Sequence, residues 1–229
     1  MLTLAIDSSA KTASAAIMRD GEITASKLIN AGLTHSETLL LLVDDVLKQC
    51  SLKNEDIDRY ALSVGPGSFT GVRIGAALIK GLAFAGNKPC AGVSTLEAAA
   101  YNFLGENALI CVVMDARRNQ FYNALFSVKG SSVERIRADR AILYSDLLSE
   151  LKSYNNEKII IAGDGAELFS TLGELPQNAQ IASEDKVFQS ASGVALCSEK
   201  CKFISSADVN PVYLRPSQAE RELKLKKEG

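Results

Sequence analysis

Apolar positions along the chain follow two periods, one typical of strands and one typical of helices, and the order of elements occurs twice. The first half predicts strands at 2–6, 13–18, 22–28, 60–64 and 91–93, and helices at 34–50, 70–85 and 94–103. The second half predicts strands at 109–114, 120–128, 133–137 and 158–162, and helices at 145–154 and 190–201. This succession predicts an α/β protein with a duplicated two-lobe architecture, divided into residues 1–104 and 105–229. The charged residues 220–229 are expected to fray.

Composition narrows the class of protein. The 229 residues carry 25 Lys plus Arg against 27 Asp plus Glu, a net charge of −2. The overall charge therefore does not suggest a surface built for nucleic acid, and any RNA contact is expected to be local or made through a partner. The five cysteines include no C-x-x-C pair, which indicates reduced thiols. Because no signal sequence opens the chain and no apolar run is long enough for a membrane span, we expect a soluble cytoplasmic protein without membrane contact.

A glycine-rich stretch from Val64 to Gly75, with the sequence VGPGSFTGVRIG, joins a predicted strand to a predicted helix. Gly65 and Gly67 permit a positive φ or a close backbone approach, and Ser68 can cap the helix that follows. A turn of this kind either receives a phosphate or carries another backbone segment pressed against it. The residues of the stretch leave both interpretations open.

Three polar turns are similar to parts of the nucleotide cleft of the actin, Hsp70 and sugar-kinase superfamily. Asp7-Ser8-Ser9 ends the first strand as the first phosphate loop of that superfamily does, although the same residues are common in hairpin turns. The second such turn contains Asp115 followed by Arg117 and Arg118, which cannot form the glycine nest of a second phosphate loop. Gly163 and Gly165 occur where an adenosine loop would fall. We interpret these residues as a degenerate nucleotide cleft, in which binding of ADP or ATP stays open and hydrolysis is not expected.

The two long helices of the first half carry more apolar surface than one core requires. Leu40, Leu41 and Leu42 extend the apolar face of the first of them, and Gly71 and Gly75 leave a smooth strip on the second. Complete burial of these helices and a partner-binding face explain the pattern equally well. The residues assigned to the candidate partner face are His35, Leu40, Leu41, Leu42, Asp45, Gly71, Ile74, Gly75 and Leu78.

Enzyme classes that depend on histidine are poorly supported. His35 is the only histidine, so the chain cannot form a two-histidine metal site. Ser68 does not lie in the G-x-S-x-G turn of a serine hydrolase. Glu97 is a lone carboxylate, which is more typical of a solvated or capping residue than of a general base.

Six segments together resemble the bacterial TsaB (YeaZ) family, and the resemblance covers nearly the whole chain. The segments are Asp7-Ser8-Ser9, residues 34–37, residues 65–75, residues 92–97, residues 115–118 and residues 211–215. The resemblance implies an actin-like (ASKHA, ribonuclease H-like) fold and a role in forming N6-threonylcarbamoyladenosine at position 37 of tRNA. In that family the partner protein TsaD is the transferase, and the ATPase TsaE joins the two.

Comparison with the paralogous TsaD family bears on catalysis. TsaD carries an H-x-E-G-H segment whose two histidines bind metal, and the corresponding segment here is Thr95-Leu96-Glu97-Ala98-Ala99. Thr95 and Ala99 occupy the two histidine positions, and neither side chain replaces an imidazole as a metal ligand. Asn119 also departs from the TsaB pattern, in which a small residue, often glycine, follows the arginine pair. This departure leaves open how that loop turns.

The resemblance and the residues together predict a non-catalytic scaffold that docks on TsaD through the helices at 34–50 and 70–85. The same face would form a homodimer when TsaD is absent. TsaE and tRNA are expected to join through the complex, with Arg117 and Arg118 as candidate contacts to a partner or to tRNA phosphate. No cofactor is expected to be required. The alternative is an independent ASKHA-type enzyme, either a metallopeptidase or a phosphotransferase.

Overall fold

Two mixed β-sheets of five strands each form the framework of the protein. The structure, a computed structural model, describes residues 1–30 and 34–215. The strands of the first sheet are β1 Leu2–Asp7, β2 Ala13–Arg19, β3 Glu22–Ile29, β4 Arg59–Gly65 and β5 Cys90–Ser94, in the spatial order β3-β2-β1-β4-β5. Those of the second are β6 Asn107–Asp115, β7 Gln120–Lys129, β8 Ser132–Leu143, β9 Ile159–Ala162 and β10 Ala179–Ile181, in the order β10-β9-β6-β7-β8.

The two sheets share one pairing scheme. The central strand of each, β1 or β6, pairs antiparallel with the next strand along the chain and parallel with the strand after the hairpin. The predicted duplication of the element order is therefore confirmed at the level of sheet topology, and the fold is α/β.

Seven α-helices cover these sheets within the described residues: α1 His35–Gln49, α2 Phe69–Phe84, α3 Thr95–Ala100, α4 Tyr144–Lys152, α5 Ala166–Thr171, α6 Glu184–Val187 and α7 Ala191–Ser198. Helices α1 and α2 pack on one face of the first sheet, and α7 packs on its other face. Helix α3 lies between the sheets, while α4 and α5 cover the outer face of the second sheet. None of the helices in this part of the chain is both long enough and apolar enough to cross a bilayer.

The alternation of side chains in the first sheet explains this layering. Leu4 and Ile6 point to the face covered by α1 and α2, while Ala5 points to the opposite face. Ala16 and Ala61 join Ala5 on that second face, and their small side chains allow α7 to lie close to the sheet. Both faces of strands β1, β2 and β4 are thus buried, while the edge strand β3 stays largely exposed.

The division predicted at residue 104 does not hold for the last part of the chain. Helix α7 packs on β1, β2 and β4 of the first lobe, Val209 lies in the core formed by α1 and α2, and Ile204 bridges to Cys90. Conversely, Leu96 and Phe103 from the first half pack in the core of the second sheet. The physical reason is that the second face of the first sheet needs a helical cover, which only the later sequence supplies.

Several element bounds also differ from the prediction. Strand β8 continues to Leu143, whereas the prediction ended it at residue 137. The prediction was too short because β8 is an edge strand, and its charged side chains hide the strand pattern in the sequence. Helices α5 and α6 and strand β10 were not predicted, because segments of six, four and three residues are too short to show a clear hydrophobic period. Thr34 is the N-cap of α1, but its hydroxyl bonds the Glu37 carboxylate instead of a backbone N–H. The frayed end predicted at residues 220–229 lies outside the described residues.

Candidate functional site

The glycine-rich stretch packs against the first turn of the chain, residues 8–12 between β1 and β2. A Cβ added to Gly67 would lie 2.3 Å from the Ser9 carbonyl oxygen, and one added to Gly71 would lie 2.0 Å from the Ser8 carbonyl oxygen. The Ser68 N–H donates to Ser9 O at 2.7 Å, and the Ser8 hydroxyl donates to Gly71 O at 2.9 Å. Of the two interpretations of the stretch, this geometry favours close backbone packing. The segment that packs there is the protein's own first turn.

Residues 209–215, which we call the C-terminal strap, lie against the other side of the same stretch. Gly65 has φ +118°, and a Cβ there would lie 2.3 Å from the Val212 carbonyl oxygen. The Tyr213 ring stacks on Phe69 with centroids 4.3 Å apart, and Arg73 Nε donates to the Tyr213 hydroxyl at 2.8 Å. Gly65 therefore provides room for the strap, and the aromatic stack fixes the strap on the start of α2.

A cleft of about 550 Å³ separates the lobes next to these turns. The residues that line it include Ser9 and Asp115 of the predicted degenerate cleft, together with Arg117. Gly163 and Gly165 lie behind the lining, where they pack against the end of β6. The sequence interpretation assigned no role in the cleft to four further lining side chains, Lys11, Tyr122, Asp164 and Arg215. Asp164 had one sequence signal, its position between Gly163 and Gly165.

Two acidic groups in and beneath the cleft are buried. Asp7 accepts hydrogen bonds from the backbone N–H and the hydroxyl of Ser9, yet burial raises the pKa of the Asp7 carboxyl above its ordinary value. Burial also raises the pKa of Asp164, with Lys11 opposing the shift and the nearby carboxylates of Asp7 and Asp115 adding to it. Asp115 and Asp164 therefore place acidic groups on the cleft lining, and Asp7 lies buried beneath it.

We expect Asp7→Asn to raise the free energy of unfolding at pH 7. The amide keeps an acceptor for Ser9 and removes a buried charge. Because the pKa of Asp7 is higher in the folded protein than in the unfolded chain, the ionised carboxylate destabilises the fold at pH values above the folded-state pKa. Below the unfolded-state pKa, Asp7 is protonated in both the folded and the unfolded protein. The gain should therefore shrink as the pH falls toward about 4. Urea unfolding at several pH values measures it, and a gain that grew at low pH would contradict the assignment.

The loop from β6 to β7, which we call the arginine loop, contains three successive residues in the left-handed backbone conformation. Arg117, Arg118 and Asn119 have φ values of 65°, 57° and 55°. The Asp115 carboxylate accepts from the Arg117 N–H at 2.7 Å and lies 3.3 Å from its guanidinium. Asn119 thus turns the loop by adopting the conformation for which glycine is usually chosen. Both arginine side chains are exposed, and Arg117 also lines the cleft.

The outward face of α1 and α2 differs from the predicted partner face. Leu40 and Leu41 are 53% and 64% exposed, whereas Leu42 is 1% exposed and lies in the core. Leu42 is therefore corrected to a core residue, because positions 39, 42, 43 and 46 form the buried stripe of α1. Asp45 is half-buried and pairs with Lys27 of β3.

The glycines and the histidine of the predicted partner face also point inward. A Cβ on Gly75 would lie 2.5 Å from the Ser8 hydroxyl, so Gly71 and Gly75 both contact the first turn. His35 Nε2 lies 2.8 Å from the Ala10 carbonyl oxygen, which directs the ring to the same turn. The solvent-facing residues of α2 are instead Thr70, Arg73, Ala77, Gly81 and the 82%-exposed Phe84, while Ile74 and Leu78 are half-buried.

In the segment that corresponds to the metal-binding segment of TsaD, the two candidate ligand positions are buried and the carboxylate is engaged in an ion pair. Thr95 and Ala99 are fully buried, and Glu97 forms an ion pair with Arg135 of β8. In the part of the chain that the structure describes, no three His, Cys, Asp or Glu side chains are grouped to hold a metal ion.

Comparisons with known proteins relate this chain to proteins of tRNA threonylcarbamoyladenosine biosynthesis. The family model "TsaD: tRNA N6-adenosine threonylcarbamoyltransferase" matches residues 29–209. The "tRNA threonylcarbamoyladenosine biosynthesis protein TsaB" of Bacillus subtilis is 33% identical over 72% of this chain and 72% of its own length. The protein of the same name from Escherichia coli is 28% identical over 97% of this chain and 98% of its own.

A solved structure is similar over almost the same extent. YeaZ from Pseudomonas aeruginosa superposes with a TM-score of 0.79 at 23% identity, covering 93% of this chain and 99% of that one. At this identity the likeness concerns the fold. The predicted duplicated actin-like (ASKHA) fold is confirmed by this superposition and by the topology of the two sheets.

Proposed function

This chain belongs to the TsaB family, and we propose that it acts in tRNA threonylcarbamoyladenosine biosynthesis as a non-catalytic partner subunit of the transferase TsaD. Its TsaB-named relatives indicate a role in that biosynthesis. The observation that supports the non-catalytic assignment is the burial and pairing of side chains in the segment from Thr95 to Ala99. Its two candidate ligand positions are buried side chains without imidazole, and its carboxylate is paired with Arg135.

The cleft supports the same assignment. The loop of Arg117, Arg118 and Asn119 offers no glycine nest to receive the phosphates of a nucleoside triphosphate, and Asp115 and Asp164 place acidic groups on the cleft lining beside its cationic side chains. We therefore propose that the chain requires no nucleotide cofactor, and that any ADP or ATP binding is a remnant of the fold. The rival enzyme functions, metallopeptidase and phosphotransferase, need the imidazoles or the glycine nest that these positions lack.

We assign the contact with TsaD to a first-lobe docking face, defined by Leu40 and Leu41 of α1 and Arg73, Ala77 and Phe84 of α2. Leu40, Leu41 and Phe84 are among the large apolar side chains that the described residues leave most exposed. Helices α1 and α2 lie side by side on one face of the first sheet. Ala77 and Gly81 keep the surface of α2 low, so that a partner helix can approach it closely.

The match of this chain to the TsaD family model includes the region of α1 and α2. Two paralogues that share such a helix pair can dock them face to face, which gives a pseudo-symmetric interface. The same face would join two copies of this chain when TsaD is absent. Size-exclusion chromatography of the purified chain with purified TsaD tests the proposal. A heterodimer peak is expected, and separate elution at micromolar concentrations of both would contradict it.

We propose that TsaE and tRNA reach the complex mainly through TsaD, with a local contribution from the arginine loop. Arg118 forms no ion pair within the described residues, whereas Arg117 is paired with Asp115. A phosphate contact at Arg118 would release a counterion and depend on salt.

We expect Arg118→Glu to reduce modification activity in the reconstituted system by about tenfold at low salt, and by less as salt is added. The reason is that the substitution places a negative charge where an RNA phosphate or an acidic partner would lie. Lys152→Glu reverses an exposed charge on α4 and serves as the control. Equal activities of the two variants would remove the arginine loop from the proposal.

A further inference from the structure

Arg135 forms an ionic network between the two lobes. Its guanidinium contacts the Glu97 carboxylate through Nη2 and the Asp139 carboxylate through Nη1. The same guanidinium lies 4.8 Å above the Phe126 ring. The second oxygen of Asp139 accepts a hydrogen bond from the Ser94 hydroxyl at 2.5 Å. We call these four polar residues the interlobe clamp.

The clamp joins parts of the chain that belong to different sheets. Ser94 ends β5, the edge strand of the first sheet, and Glu97 lies in the helix that follows directly. Arg135 and Asp139 lie on β8, the edge strand of the second sheet. Each acidic group of the clamp is therefore held by a residue from the opposite lobe. All four side chains are half-buried, which limits the screening of the ion pairs by solvent.

Two further contacts connect the lobes. Helix α3 contributes Ala98 to the core beneath the first sheet and Leu96 to the core of the second sheet. At the cleft mouth, the strap is held on the first lobe through Tyr213, and Arg215 donates to the Ala116 carbonyl oxygen of the second lobe at 2.6 Å. The lobes are thus linked at the sheet edges, through a shared helix and across the cleft.

From these links we infer that the chain is a locked two-lobe body, in which the interlobe clamp prevents the lobes from opening and closing about the cleft. Glu97 is the first-lobe acceptor of the clamp, and Asp139 is the second-lobe acceptor. Glu97 corresponds to the glutamate of the TsaD metal-binding segment. In this chain its carboxylate instead pairs with the Arg135 guanidinium from the opposite sheet. The inference does not depend on the identity of the partner protein.

The interlobe distance tests the inference. Spin labels placed at Glu55 and Asn155, two exposed positions in different lobes, can be attached through an unnatural amino acid, so that the native cysteines stay unchanged. Pulsed electron-spin measurements on the full chain should give one narrow distance distribution, with or without millimolar Mg-ADP. A shift of several ångströms when Mg-ADP is added would overturn the inference.

Arg135→Met should broaden the distance distribution, because it removes the clamp and keeps the length of the side chain. Arg137→Met is the matched control, since Arg137 lies on the same strand and, among the described residues, forms its ion pair only with Glu150 of its own lobe. Identical distributions for the two variants would also overturn the inference. Glu97→Gln, a milder change, allows a double-mutant cycle with Arg135→Met. The two should couple by about tenfold in the unfolding equilibrium constant, and additive effects would contradict the clamp.

Discussion

Replacing Gly71 with alanine is expected to lower the free energy of unfolding by about 3 kcal/mol or more. The new methyl group would lie 2.0 Å from the Ser8 carbonyl oxygen, and a backbone atom in a buried turn cannot move aside as a flexible side chain does. Relief would require α2 to separate from the first turn, at the cost of the contacts around Ser8 and Ser9. Chemical denaturation of the purified variant measures the loss.

Gly81→Ala is the matched control on the same helix. Gly81 is exposed, and a Cβ there meets no atom within 4 Å. Since alanine has a higher helix propensity than glycine, the free energy of unfolding of this variant should rise by roughly 0.5–1 kcal/mol. If both variants changed stability by similar small amounts, the assignment of the glycine motif to internal packing would be wrong.

Leu41→Glu is expected to weaken binding to TsaD by about thirtyfold, or about 2 kcal/mol, without unfolding the protein. The side chain is 64% exposed, so the fold loses little, but the carboxylate would have to be buried in an apolar interface. Titration calorimetry or surface-based binding with purified TsaD measures the effect, and circular dichroism checks that α1 stays folded.

Leu168→Glu provides the control for surface charge. Leu168 is 41% exposed on α5 of the second lobe, far along the chain from the docking face. This variant should bind TsaD as the wild type does. A normal affinity for Leu41→Glu, or an equal loss for both variants, would exclude the first-lobe docking face.

The sequence predicts the architecture of the first lobe well, because its elements are long and carry clear periods. Helix α1 shows where the prediction was wrong. Four successive leucines occupy positions 39–42, and only the phase of the buried stripe separates Leu42, which is in the core, from Leu40 and Leu41, which are exposed. The spacing of Leu39, Leu42, Val43 and Val46 at i, i+3, i+4 and i+7 contains that information.

The glycine motif shows what a sequence alone leaves open. Glycine at positions 67 and 71 permits a close approach, but the segment that approaches lies about 60 residues earlier in the chain. Arg215 and Asp164 enter the cleft for a similar reason, since only the tertiary fold brings them beside Asp115. Arg135 and Glu97 meet across two sheets, and no local pattern predicts that pairing.

Reconstitution of tRNA modification from purified components tests the central proposal most directly. The reaction contains TsaD, TsaE, tRNA and the threonylcarbamoyl donor, with this chain present, absent or replaced by Leu41→Glu. The proposal predicts that modified adenosine forms only with the wild-type chain and TsaD together, that the chain alone forms none, and that Leu41→Glu restores little. Modification by this chain without TsaD, or full activity of TsaD and TsaE without this chain, would contradict it.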